Sequence, residues 1–213
     1  MVIFYFLTRR TLPEQAQCIP KNSFLVATLN VKQLARDQLA STVFFSTKNN
    51  SNLFSKEFFA VVSRFREKDS GINFSNDIIS FMYQTGDAAF IGVVFSVNNQ
   101  NKLKNNFLNS REEYFGPISI QGKTVVEIDT TSAIIGWNEK SLLLLYPFGN
   151  SSAETTASEC SKLLSEEKEK SILSDENFCT AQLNSFDANI WLHASPLLAF
   201  TNGGTFFKTQ LDN

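Results

Sequence analysis

Residues 19–35 constrain the fold most strongly, because the run IPKNSFLVATLNVKQLA combines a turn, a strand and a helix start. Pro20 fixes the backbone at the turn, and the apolar residues at 24–29 predict a buried strand. Asn30 precedes apolar residues at helical spacing, which is typical of a helix N-terminus. The run therefore predicts that a folded domain begins at Ile19.

Further strands are predicted along the rest of the chain. Apolar runs at 78–83 and 88–97 are separated by Gln-Thr-Gly-Asp, which is a hairpin signal. The later predicted strands lie at 118–120, 124–128, 133–137, 142–146 and 188–193. Because the connections within 118–146 are short, this stretch favours an antiparallel meander.

Helical patterns alternate with these strands in blocks. Two helices are predicted ahead of the hairpin, at 31–40 and 54–65, and we expect Phe58 and Val62 of the second to pack against the sheet. Shorter helical patterns lie at 102–108, 153–164 and 174–185. Blocks of this kind predict an α+β fold, with a largely antiparallel sheet and helices packed on one face.

Length and charge limit the domain count and the class of partner. The 213 residues fit one α+β domain at 19–213, with the Ser/Thr/Gly-rich residues 147–156 as a candidate sub-boundary. The net charge is −2, and no run of lysine and arginine is long enough to form a phosphate-binding face. Nucleic acid is therefore not expected as a partner.

Residues 1–18 are predicted to be a tether. Six apolar residues at 2–7 are followed at once by Thr8, Arg9 and Arg10, a pattern resembling the last turns of a membrane helix whose beginning is missing. The alternative is a short terminus that tucks its phenylalanines onto the domain. Under the tether hypothesis, deletion of residues 1–17 should shift the unfolding midpoint by only about a degree or two, since few contacts are lost.

Phenylalanine is unusually abundant, with 21 copies against 4 tyrosines and 2 tryptophans. One interpretation is a Phe-rich core, since aromatic side chains dominate core burial. The other is an apolar ligand groove or a partner surface. The sequence leaves both open.

The three cysteines, Cys18, Cys160 and Cys179, do not form a recognisable site. Their odd number is incompatible with a fully paired framework, and no Cys-x-x-Cys occurs. Cys160 and Cys179 could bridge a helix to the segment after it. The alternative is that the thiols pack as small apolar groups.

The sequence indicates no catalytic, cofactor-binding or metal-binding residue. His193 is the single histidine, and Asp187 is near it in sequence, but no Gly-x-Ser-x-Gly nucleophile elbow is present. The Glu112–Glu113 pair is predicted to lie in a solvated loop. Glycine-rich phosphate loops and Asp-x-Asp calcium loops do not occur. We therefore predict a protein that is not an enzyme and needs no cofactor.

Four short motifs resemble those of one protein family. The chain has Ile-Pro-Lys-Asn at 19–22, Ser-Gly-Ile-Asn at 70–73, a Lys/Leu-rich helix at 102–108 and Gly-Trp-Asn-Glu-Lys at 136–140. In this combination it resembles a large group of uncharacterised cell-envelope proteins from Bacteroidetes that carry a domain of unknown function. The resemblance covers about 19–200, and its motifs are structural rather than catalytic.

The resemblance implies an exported, membrane-tethered protein without known enzymatic activity. The implied location is the periplasmic side or outer surface of the cell envelope, although composition alone does not distinguish a cytoplasmic one. The implied partner is another envelope protein, with the membrane reached through an N-terminal anchor. The resemblance assigns no functional residues.

Three functional hypotheses follow. The first is a non-catalytic domain that binds another protein or scaffolds an assembly. The second is a protein that holds an apolar small molecule in a Phe-lined groove. The third is a hydrolase with a nonstandard site around His193.

Overall fold

The computed structural model describes most of the chain, with gaps. The described residues are 12–30, 70–109, 115–120, 123–128, 132–148, 151–183 and 188–197, and for 106–109, 115–120 and 123–128 the description covers the backbone only. The predicted helices at 31–40 and 54–65, with Phe58 and Val62, lie outside these residues, as do Glu112, Glu113 and Asp187. The predictions made for them stay predictions.

The described strands form one antiparallel sheet. They are β1 Leu25–Leu29, β2 Ile78–Thr85, β3 Ala88–Ser96, β4 Phe115–Ile120, β5 Lys123–Ile128, β6 Ala133–Trp137, β7 Ser141–Phe148 and β8 Ala188–Leu192. Their order across the eight-stranded sheet is β4-β5-β6-β7-β3-β2-β1-β8. The predicted α+β class with a largely antiparallel sheet is confirmed.

Short helices cover this sheet. The described α-helices of known extent are α1 Gln100–Asn109, α2 Ala153–Leu163 and α3 Glu176–Gln182, and 3-10 helices lie at Glu14–Cys18, Lys168–Lys170 and Ile172–Ser174. Ser152 begins α2, because its side chain accepts a hydrogen bond from the Thr155 N–H. Residues 147–156 thus span the end of β7 and the first turn of α2.

The β2–β3 hairpin forms where the sequence predicts it. Thr85 pairs with Ala88, which leaves Gly86 and Asp87 as a two-residue turn. Gly86 has φ +57°, and glycine at the first turn position is the preference of a type II′ hairpin. The predicted meander also forms, as β4-β5-β6-β7, and β7 then pairs with β3 to join the two halves of the sheet.

The sheet is buried on both faces at its centre. Leu143 and Leu145 belong to a cluster with α2, α3 and the first 3-10 helix, whereas Leu142 and Leu144 belong to a second cluster that contains Leu103 of α1. Successive strand residues point to opposite faces, so α1 packs on the face opposite to α2 and α3. The described helices are therefore not confined to the one face that the sequence predicts, because the apolar residues of β7 point to both sides of the sheet. This explains why β7 is apolar without alternation.

The fold includes part of the segment predicted as a tether. The 3-10 helix Glu14–Cys18 buries Gln15, Ala16 and Cys18, and the Gln15 side chain donates a hydrogen bond to the Asp77 carbonyl at 3.0 Å. These buried residues precede Ile19, where the sequence predicts that the folded domain begins. Deletion of residues 1–17 would remove them, so we now expect it to destabilise the fold.

A point substitution tests this packing. Ala16 is 0% exposed, and Ala16→Leu should lower the free energy of unfolding by about 1–3 kcal/mol, because extra methylenes force neighbouring side chains out of place. The neighbouring Glu14 is exposed, so Glu14→Ala serves as the control and should change stability by less than about 0.5 kcal/mol. Urea denaturation measures both. Equal, small effects would show that the helix does not pack on the core.

Candidate functional site

The outer edge of β8 carries backbone groups that pair with no other described strand. Among the described strands, β8 has β1 as its neighbour, with Val26 opposite Trp191. The His193 N–H donates to the Phe24 carbonyl at 3.0 Å, which extends the same register. Backbone groups alternate in direction along an antiparallel strand, so those of Ala188, Ile190 and Leu192 point away from β1.

The same three residues also present apolar side chains to solvent. Ile190 is 68% exposed and Leu192 is 56% exposed, and they are the large hydrophobic side chains that the described part of the chain leaves exposed. Ala188 is exposed beside them. We call Ala188, Ile190 and Leu192, with their outward backbone groups, the β8 surface. It combines an apolar stripe with free hydrogen-bonding groups.

The opposite face of β8 is held by α3. Trp191 contacts Phe178 edge to face, with ring centroids 5.8 Å apart, and Phe178 is fully buried. The Asn189 side chain reaches the Ala181 carbonyl at 3.4 Å. The Asp175 side chain accepts a hydrogen bond from the Phe178 N–H and so begins α3. Because β8 is fixed by its inner residues, its outer edge is preorganised.

The other edge of the sheet differs in chemistry. The edge strand β4 contains Pro117, which pairs with Val126 of β5 and has no N–H to offer to a further strand. Proline on an edge strand is a common protection against strand addition. Residues 188–192 contain neither proline nor a charged residue. Of the two described edges, β8 is the one open to pairing.

His193 lies directly after β8 but is not part of a described catalytic group. Its ring lies beside that of Trp191, with centroids 5.2 Å apart and the ring planes tilted by 58°, and its Nδ1 is buried with no hydrogen-bond partner among the described residues. In that part of the chain, no hydrogen bond from Nδ1 and no ion pair joins it to a serine or carboxylate, and Asp187 lies outside it. His193 is therefore placed as a neighbour of the β8 surface rather than in an assembled triad.

A shallow cleft of about 270 Å³ lies between the first 3-10 helix and the β6–β7 turn. Lys140 bridges to Glu14 across it at 3.1 Å, with both side chains more than half exposed, so the pair contributes little to stability. Cys18 lines the cleft, and burial raises the pKa of its thiol to about 12. A thiol that stays protonated is a poor nucleophile. Within the described ranges, no cluster of residues suits a metal ion.

The Cys18 thiol predicts how stability depends on pH. The folded state raises its pKa from 9.0 to about 12, so its contribution is complete below pH 9 and is lost as the pH rises through 12. Burial and the Glu159 carboxylate raise the pKa of Tyr83 in the same direction. We expect stability to fall above pH 9, and less steeply in Cys18→Ala. Urea midpoints at several pH values measure this, and parallel curves for the two proteins would contradict it.

A buried tyrosine forms the other notable polar cluster. The Tyr83 hydroxyl donates to Glu159 Oε1 at 3.1 Å, and Lys162 Nζ donates to the same oxygen at 2.9 Å. The Tyr83 ring stacks on Phe90 with centroids 5.4 Å apart. Since the Tyr83 pKa is raised and its hydroxyl is bonded, the cluster fixes α2 to β2 rather than providing a reactive base.

The structure also places the cysteines and the phenylalanines, for each of which the sequence leaves two interpretations open. Cys18, Cys160 and Cys179 form no disulfide, and Cys160 packs in the core. The described phenylalanine side chains are buried or half-buried: Phe24, Phe74, Phe81, Phe90, Phe95, Phe148 and Phe178. In this part of the chain, phenylalanine builds the core rather than an exposed groove.

The described residues thus define an α+β domain with an antiparallel sheet and one open apolar edge. The chain belongs to the family described as Domain of unknown function (DUF4836), which matches residues 16–209. This confirms the predicted membership of an uncharacterised family. Comparison with curated proteins and with solved structures gave no match. No helix in the described ranges is long and apolar enough to span a membrane.

Proposed function

We propose that this chain is a non-catalytic protein-binding domain and that the β8 surface is where the partner docks. The observation that carries the proposal is the exposure of Ile190 and Leu192 beside outward backbone groups. Contiguous exposed apolar side chains mark interaction sites, and a free sheet edge binds an extended segment through main-chain hydrogen bonds. An apolar stripe next to such an edge adds side-chain contacts to those bonds.

The alternative of an apolar ligand in a Phe-lined groove has less support. It requires phenylalanine side chains that reach solvent, and those of the described residues are buried or half-buried. The hydrolase alternative requires a nucleophile or carboxylate beside His193, and the described residues supply no such contact. The β8 surface is therefore the strongest basis for a function.

A photo-crosslinking residue at position 192 tests the docking surface in the cells that make the protein, with exposed Lys102 as the control position. Adducts specific to position 192 are identified by mass spectrometry, and the partner is purified. We expect it to bind the wild-type chain at least tenfold more tightly than Leu192→Lys, which places a charge in the apolar stripe. No specific adduct, or equal binding of both proteins, would contradict the proposal.

The proposed location is the cell envelope, with the residues ahead of the 3-10 helix, 1–13, contributing the attachment. Its support is the apolar run at 2–7 followed by Arg9 and Arg10, together with the resemblance described above. Fractionation of the native cells tests it. We expect the protein in the envelope fraction, and recovery in the cytoplasmic fraction alone would contradict the proposal.

A further inference from the structure

We propose that the protein binds internal water between α3 and β1, through the side chains of Thr28 and Gln182. Both residues are only 1% exposed. In the part of the chain that the structure describes, Thr28 Oγ1 and both amide atoms of Gln182 have no hydrogen-bond partner. The inference is independent of the proposed protein-binding function, because it concerns the inner face of β8 and not the β8 surface.

The strand pairing places Thr28 beneath the end of α3. Thr28 of β1 lies opposite Asn189 of β8, and directly opposed residues of an antiparallel pair have their side chains on the same face. The Asn189 side chain donates a hydrogen bond to the Ala181 carbonyl at 3.4 Å. Asn189 therefore connects the position of Thr28 to the last turn of α3, where Gln182 lies.

The spacing along α3 directs Gln182 toward the same place. Phe178 and Gln182 are four residues apart and both buried, so they share the face of α3 that packs on the sheet. The Phe178 ring contacts Trp191, which is two residues from Asn189 on the same face of β8. Four residues of helix span about 6 Å and two residues of strand about 7 Å, so the two spacings match. Gln182 thus lies over Asn189 and Thr28, one layer beyond the aromatic pair.

The chemistry of this layer suits water. The carboxamide of Gln182 has two N–H donors and an accepting oxygen, and the Thr28 hydroxyl both donates and accepts. On its other side Thr28 pairs with fully buried Ile79, whose side chain offers no polar group. Polar groups left unpaired in the interior are destabilising, and internal water commonly bridges them. Because the side chains of the layer are neutral and nearly inaccessible, the site favours the smallest neutral donor and acceptor over an ion or a larger solute.

Water-selective nuclear Overhauser spectroscopy of the wild-type chain tests the site directly. We expect a cross-peak between water and the Gln182 side-chain amide, with the sign of a water molecule that stays bound while the protein tumbles. Rotating-frame spectra separate this signal from proton exchange. Asn177, which is exposed on the same helix, is the matched control and should show only short-lived surface water. A Gln182 amide without this cross-peak, or one that behaves as Asn177 does, would overturn the inference.

Two substitutions test whether the water bridges the two side chains. Thr28→Val keeps the branched shape and removes the hydroxyl, and Gln182→Met keeps the length and removes the amide. Each should lower the urea midpoint, because the water and the remaining side chain lose a partner. The double variant should lose less than the sum of the single losses, since the two residues share the same water. Thr180→Val, on the exposed side of α3, is the control and should leave the midpoint unchanged.

The sign of these changes separates bridged from unpaired groups. If no water were bound, each substitution would remove a buried polar group that nothing satisfies, and the urea midpoint would rise. A raised midpoint in either single variant would therefore overturn the inference, as would strictly additive losses in the double variant. If a variant fails to fold, the spectrum of the wild-type chain still decides.

Discussion

Phe81→Ala should lower the free energy of unfolding by about 3–5 kcal/mol, the range for emptying a buried aromatic site. Phe81 is 0% exposed and lies opposite Gly92 in the β2–β3 pair. Its ring also neighbours that of Tyr83, with centroids 5.8 Å apart. Urea denaturation measures the loss, and Ser80→Ala, on the other face of the same strand, is the control with an expected change below about 0.5 kcal/mol.

The Phe81 ring occupies the space that a side chain at Gly92 would need. A Cβ at Gly92 would overlap the Cε1 and Cζ atoms of that ring. Gly92→Ala alone should therefore cost about 1–3 kcal/mol, whereas in the Phe81→Ala background its cost should nearly vanish. Additive losses in the double variant would contradict this account of the pair.

Phe178→Ala should also cost about 3–5 kcal/mol and should loosen β8. Phe178 is 0% exposed, and its edge-to-face contact joins α3 to Trp191 of β8. Phe178→Leu keeps most of the apolar volume and should cost clearly less. Urea denaturation followed by tryptophan fluorescence measures both variants. A loss below about 1 kcal/mol for Phe178→Ala would mean that α3 does not anchor the strand.

The strands are the part of this fold that the sequence predicts well. The strand at 133–137 is predicted and observed with the same bounds, because its apolar run is flanked by turn residues. The β2–β3 hairpin at Gly86 is predicted from neighbouring residues alone, because its turn residues are adjacent in the sequence. The β7–β3 pairing joins residues about fifty positions apart, and no local pattern encodes it.

The sequence does not predict the buried 3-10 helix at Glu14–Cys18. Five residues are too few for helical periodicity to show, and small Ala16 and Cys18 give little apolar signal among polar neighbours. Their burial depends on contacts with β3, β7 and the 3-10 helix Ile172–Ser174, which come from distant parts of the chain.

The sequence predicts the β8 surface only in part. The strand at 188–193 is evident from its apolar residues, but its place at the edge of the sheet follows from the strand order. Which of its faces stays exposed depends on α3, which covers Trp191 and leaves Ile190 in solvent. The absence of proline and charged residues from this strand is the signal that the sequence offers. That absence favours strand addition only when the strand lies at the edge of a sheet.

Amide hydrogen exchange at Ile190 tests the open edge of β8 most directly. In the dilute free protein, the Ile190 and Leu192 amides should exchange fast, whereas those of Asn189 and Trp191, which point toward β1, should be protected. When the partner is added, the first two should slow at least tenfold. Protection of Ile190 in the dilute protein, or an unchanged rate in the complex, would contradict the claim that the β8 edge is the binding surface.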